Sequence, residues 1–146
     1  MVLALCIDTC TVENRLKNVI LIDDDEATHF IHRLTMERSG LVNEITPFAE
    51  AESALHFLKE LDQNQSVFPD LILLDLNMPG FDGWDFLEGF KDIRFPASSR
   101  LAVLSTSINP EDQTRAMLYP QVCEFLIKPL KIAAFQEFMA RQFGGN

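Results

Sequence analysis

The chain has 146 residues, 47% hydrophobic and 23% charged, which fits one globular domain with a real core and leaves no room for two. Its 22 acidic and 12 basic residues give a net charge of -10, which argues against a nucleic-acid partner, since phosphate backbones are held by clustered Lys and Arg. The three cysteines, Cys6, Cys10 and Cys123, lack zinc-like pairing and read as buried or idle thiols of a reducing cytoplasm.

Residues 1–17 form a lead-in without an assigned element. Its MVLALCIDTC is briefly apolar but has neither the basic residues nor the cleavage site of a secretory signal, and no apolar run reaches the length of a membrane span. NVILI (18–22) is the first continuous apolar run and ends in Asp23-Asp24-Asp25. EATHFIHRLTMERSG then reads as a helix capped by Asp25, with Phe30, Ile31, Leu34 and Thr35 inward and Gly40 as its stop. His29 and His32 are expected at its surface or boundary. NEITPF (43–48) is a weaker strand whose Pro47 suggests a sheet edge. AEAESALHFLKEL groups Ala54, Leu55, Leu58 and Leu61 on one face, and DQNQSVF (62–68) is a loop of inserted character.

LILL (71–74) is the next buried strand and stops on Asp75. GWDFLEGFKDI sets Trp84, Leu87 and Phe90 three apart with Phe86 beside them, and Trp84 and Phe125 are taken as core aromatics. LAVL (101–104) runs into Ser105-Thr106-Ser107. PEDQTRAML opens on Pro110 and ends near Tyr119-Pro120. VCEFLI (122–127) leads to Lys128, and LKIAAFQEFMARQF closes the pattern with Ile132, Phe135, Phe138 and Met139 inward. Continuous apolar runs suit strands covered on both faces. Their alternation with helices predicts a doubly wound α/β domain, a five-stranded parallel sheet with five helices, over residues 18–141 with a tail at 142–146.

In such a sheet ligands sit at the carboxyl ends of the strands, near the point where strand order reverses. Asp23, Asp24, Asp75, Ser105 and Lys128 all fall at strand ends. Clustered carboxylates repel unless they share a hard cation, and Mg²⁺ suits such a set. Asp24 and Asp75 are the expected direct ligands, with the Asn77 carbonyl, and Asp23 acts through water. Asp75 is then a nucleophile towards a phosphoryl group, with Lys128 and a hydroxyl from Ser105 stabilising its oxygens. Pro79, Gly80 and Gly83 supply a tight turn beside the ligand.

These four segments, LIDDDE, LILLDLNMPGFDGWDFL, LSTS and FLIKPL, resemble in order the motifs of receiver domains of two-component response regulators. The resemblance covers about residues 18–141 and implies a flavodoxin-like, CheY-like fold with Asp75 phosphorylated from a histidine of a sensor kinase or phosphotransfer protein. It places the aromatic switch position on Phe125 and leaves two choices for the switch hydroxyl. Counting from Asp75 favours Ser105 and counting back from Lys128 favours Thr106, which implies one residue inserted before the last strand. It also suggests a cis peptide at Lys128-Pro129 and a reporting surface from about Pro110 to Phe143.

The expectation is a stand-alone cytoplasmic response regulator in a phosphorelay. It would catalyse only its own Mg²⁺-dependent phosphorylation and dephosphorylation, and signal through an output protein, without nucleic-acid or membrane partners. One rival is a phosphohydrolase that turns over on Asp75, but Asn77 stands where its second acid is needed. The other is a receiver that binds partners without phosphorylation.

Overall fold

The structure is a computed structural model that describes residues 15–144; Cys6, Cys10 and the other residues of 1–14, with 145–146, lie outside that range. Five strands, β1 (Leu16–Ile22), β2 (Val42–Phe48), β3 (Leu71–Leu74), β4 (Arg100–Ser105) and β5 (Val122–Ile127), alternate with five helices. These are α1 (Glu26–Ser39), α2 (Ala51–Gln63), α3 (Gly83–Phe90), α4 (Pro110–Met117) and α5 (Ile132–Phe143). All strand pairs are parallel, in the order β2-β1-β3-β4-β5. The sheet is therefore wound outward from β1 in both directions, and strand order reverses between β1 and β3.

The central strands bury both faces because alternate residues point to opposite sides. Ile20, Ile22, Ile72, Leu74, Leu101 and Val103 pack under α2, α3 and α4, against Leu55, Leu58, Phe86 and Phe90. Val19, Leu21, Leu71, Leu73, Ala102 and Leu104 pack under α1 and α5, against Met36, Phe135, Phe138 and Met139. β2 is an edge strand, and its Pro47 sits where a missing N–H is tolerated. β1 begins ahead of the expected boundary at 18, because the Leu16 amide donates to the Leu41 carbonyl at 2.8 Å and extends the pairing with β2.

Helix α1 departs from the sequence reading. Its inward residues are His29, His32 and Met36, whereas Phe30 and Ile31 are 67% and 50% exposed. Asp25 caps the helix as expected, its carboxylate accepting from the Ala27 amide. The stripe that lies against the sheet then runs His29, His32, Met36 at helical spacing, one turn on from the exposed cap Asp25. Strand end and cap orient this helix, and its most apolar residues end up outside. Smaller corrections are of the same kind. Ile132, first in α5, is 36% exposed, and Trp84 and Phe125 are only partly buried at the rim of the core.

The pairing of β4 with β5 shifts register inside β5. Leu101 pairs with Val122 but Ala102 pairs with Glu124, so Cys123 is passed over in a β-bulge. Beyond the bulge Ser105 pairs with Ile127, which aligns the ends of β4 and β5.

Glycine matters most at the head of α3. A Cβ on Gly83 would lie 2.5 Å from the Asp75 carbonyl oxygen and 2.6 Å from the Leu76 Cα, both backbone atoms that cannot swing aside. Gly83→Ala is expected to lower unfolding free energy by about 1–3 kcal/mol in urea titration. Gly89→Ala should cost less, since its Cβ meets the mobile tip of Leu55 and alanine favours helix.

Candidate functional site

Ile22 of β1 pairs with Leu74 of β3, so the residues that follow, Asp23 and Asp75, leave the sheet side by side at its carboxyl edge. Both side chains are nearly out of water, at 2% and 6% exposure. With the exposed Asp24, each contributes a carboxylate oxygen to a group whose members all lie within 4.8 Å of one another. Three acids at that spacing repel.

Lys128 offsets part of the repulsion. Its Nζ lies 2.5 Å from Asp23 Oδ2 and 3.4 Å from Asp75 Oδ1. It reaches them because its amide donates to the Ser105 carbonyl at 2.8 Å, carrying the β4–β5 pairing one step past the strands. The Lys128-Pro129 bond that follows is cis. Asp23 also accepts from the Asp25 amide through Oδ1, so both of its oxygens are engaged. Asp75 Oδ1 accepts a long bond from the Asn77 amide at 3.4 Å, and its Oδ2 has no protein hydrogen bond among the described residues. Burial holds the Asp75 carboxyl above its ordinary pKa; Lys128 pulls it down and Asp23 pushes it further up.

The two candidate hydroxyls part company. Ser105 is fully buried and follows Leu101 and Val103 on the sheet face that Phe125 shares. Thr106 is exposed and lines a groove on the other side with Thr28, Ile31, His32 and Pro129. Asn77 is exposed in the turn after Asp75. Beside the acids, a cleft of about 350 Å³ is lined by Asp24, Glu50, Glu52, Met78, Pro79 and Phe81. Its ionisable side chains, Asp24, Glu50 and Glu52, are all carboxylates, a ligand type suited to a hard divalent cation.

The sequence reading missed the histidines. His29 and His32 are 8% and 1% exposed, directly beneath this edge. His29 Nε2 meets the Asp23 carbonyl and His32 Nε2 meets the Leu130 amide. Their helical spacing to Met36 was the available signal, and the more apolar Phe30 and Ile31 obscured it.

A model of the response regulator receiver domain matches residues 19–140. The chain belongs to that family. Among curated relatives it is 30% identical over 112 residues to the probable methanogenesis regulatory protein FilR2 of Methanothrix harundinacea, covering 77% of this chain and 72% of that one. Two other relatives are longer, and the match spans 46% and 28% of their lengths. Among solved structures, a two component response regulator from Cytophaga hutchinsonii superposes with a TM-score of 0.79 at 30% identity, covering 89% of this chain and 98% of that one. The manganese-bound form of response regulator Rcp1 superposes at 0.66 with 26% identity, covering 84% and 88%. This receiver domain is thus flavodoxin-like in fold. No helix among its described residues is long and apolar enough to cross a membrane.

A buried acid with a raised pKa binds its proton more tightly folded than unfolded. Stability contributed by Asp75 therefore falls as pH rises above the ordinary carboxylate range. In EDTA at pH 7, Asp75→Asn of this receiver should melt a few degrees higher than wild type, and the gap should close as pH drops below about 4. A variant that melts lower at pH 7 would show that Lys128 outweighs burial and Asp23.

Proposed function

We propose that this receiver is a phosphorylation switch whose Asp75 takes a phosphoryl group from a phosphohistidine on a sensor kinase or phosphotransfer protein. The observation that carries the reading is the meeting of three carboxylates and one ammonium at the strand-order reversal. An Asp75 carboxylate oxygen attacks phosphorus, the P–N bond breaks, and the imidazole leaves with the electron pair and takes a proton. Water later cleaves the acyl phosphate to inorganic phosphate and restores the carboxylate. Asp75 Oδ2, without a protein hydrogen bond among the described residues, is the oxygen available for attack.

Mg²⁺ is the proposed cofactor, which Asp24, Asp75 and the Asn77 carbonyl would hold and which would supply charge neutralisation at the phosphoryl oxygens. Asp23 suits a role through water, since Lys128 and the Asp25 amide already occupy its oxygens. The Lys128 ammonium, 3.4 Å from Asp75, screens charge on the incoming phosphoryl oxygens. The Mn²⁺ in the Rcp1 structure supports a divalent ion in this family.

Ser105 is the proposed switch hydroxyl and Phe125 its aromatic partner. They lie on one sheet face on neighbouring strands, and a hydroxyl drawn towards the phosphoryl group leaves space that the half-buried ring can enter. Phe125 offers no hydroxyl for a bond at its tip, so the inward state gains burial alone. Output then passes to a protein partner through the α4–β5–α5 face.

Intact-mass analysis after incubation with acetyl phosphate tests the reading. Wild type with Mg²⁺ should gain one phosphoryl increment, and EDTA or Asp75→Asn should abolish it; labelling that survives Asp75→Asn would defeat the assignment. In the same assay Ser105→Ala should still be labelled. Its Phe125 resonances should then stay near their resting positions when beryllofluoride is added, while those of wild type shift.

A further inference from the structure

Helix α1 carries two buried histidines three residues apart: His29 meets the backbone of Asp23, and His32 meets the backbone two residues past Lys128, the partner of Asp23 in the ion pair. His29 Nε2 meets the Asp23 carbonyl, which can only accept, so that nitrogen carries the proton. His32 Nε2 lies 3.2 Å from the Leu130 amide, which can only donate, so that nitrogen is the bare one. The partners make Nε2 a donor in His29 and an acceptor in His32, and in each ring Nδ1 is buried and without a hydrogen bond among the described residues. His32 is thus a neutral acceptor, and burial together with the nearby Lys128 ammonium keeps it so by lowering its pKa.

Leu130 follows Lys128 by one intervening proline, which has no N–H to give. The lysine turn therefore has two backbone anchors. The Lys128 amide holds it to the end of β4 at Ser105, and the Leu130 amide holds it to α1 at His32. Leu130 is itself buried at 2% exposure, so a lost acceptor there would not be replaced by water without opening the turn. At the other end of this segment, the ammonium must sit 2.5 Å from Asp23 and 3.4 Å from Asp75.

We infer that His32 is a positioning residue for phosphoryl transfer: by accepting the Leu130 N–H it holds the lysine turn so that the Lys128 ammonium stands between Asp23 and Asp75. The role rests on Asp75 being the phosphoryl acceptor. His32 touches no reacting atom and acts only through Lys128. A ring that merely filled space beneath the sheet edge would be replaceable by any side chain of like volume. An acceptor that holds the turn is replaceable only by another acceptor.

The experiment compares initial rates of labelling by acetyl phosphate at saturating Mg²⁺, read by intact mass, with circular dichroism confirming the fold. His32→Leu keeps volume and removes the acceptor; its rate should fall about tenfold, the scale of a modest misplacement of a charged group. His32→Gln places an amide oxygen near the same point and should recover most of the rate. In a Lys128→Ala background, where the ammonium is gone, His32→Leu should cause no further loss. His32→Phe, which has no acceptor atom, makes the same comparison if the leucine variant does not fold. A leucine or phenylalanine variant at the wild-type rate, a glutamine variant as slow as leucine, or an additive loss on Lys128→Ala would overturn the positioning role. Wild type that takes no label at all would instead defeat the proposed function.

Discussion

Two carboxylates, Asp23 and Asp75, are withdrawn from water at adjacent strand ends, and much of this edge of the molecule is arranged around the cost of keeping them there. At Asp75, burial and repulsion from Asp23 both oppose the charged form. One ammonium, from Lys128, stands against both, and a buried ion pair of this kind holds only while its geometry is maintained. The neighbouring structure supplies that geometry through backbone anchors more than through side-chain packing. Asp23 is tied at its carbonyl by His29 and at Oδ1 by the Asp25 amide, and Lys128 by its amide to Ser105.

The same constraint explains where the sequence tolerates no side chain. Gly83 opens α3 directly against the backbone of Asp75 and Leu76, so the turn from the β3 acid into the helix is shorter than a Cβ would permit. The capping box of Asp82 and Asp85 then starts α3 at that point, and its Phe86 and Phe90 lock the helix onto the core. A tight turn, a cap and two aromatic rings together hold Asp75 on a packed frame, which suits the proposed switch.

The two sides of the sheet divide the work. The α2–α3–α4 side holds Ser105 and Phe125, the residues proposed to carry a change away from Asp75. It also carries contacts between α3 and the far end of α4, where the Arg115 guanidinium lies 3.9 Å from the Trp84 ring centre and Tyr119 donates to Glu88 at 2.5 Å. The α1–α5 side holds the histidines that brace the acid and the lysine. Thr106 opens to that second side, so adjacent hydroxyls in the chain serve different surfaces through the period-two alternation of a strand.

The order of strands and helices, the covered sheet and the residues that meet at its carboxyl edge were legible in the chain, because continuous aliphatic runs and polar strand ends are local patterns that a parallel sheet reads directly. LILL ending on Asp75 and VCEFLI ending on Lys128 needed no tertiary information. Three things did. Which hydroxyl lies on the Phe125 face depended on a bulge at Cys123 that shifts the pairing of β5 by one residue, and sequence counting had no means to locate it. Which face of α1 is buried depended on the cap and the strand end, which turned His29 and His32 inward and left Phe30 and Ile31 in solvent against their own hydrophobicity. The partners of those histidines, the Asp23 carbonyl and the Leu130 amide, are backbone groups, and a sequence carries no mark of which backbone group a side chain will meet once distant strand ends are brought together.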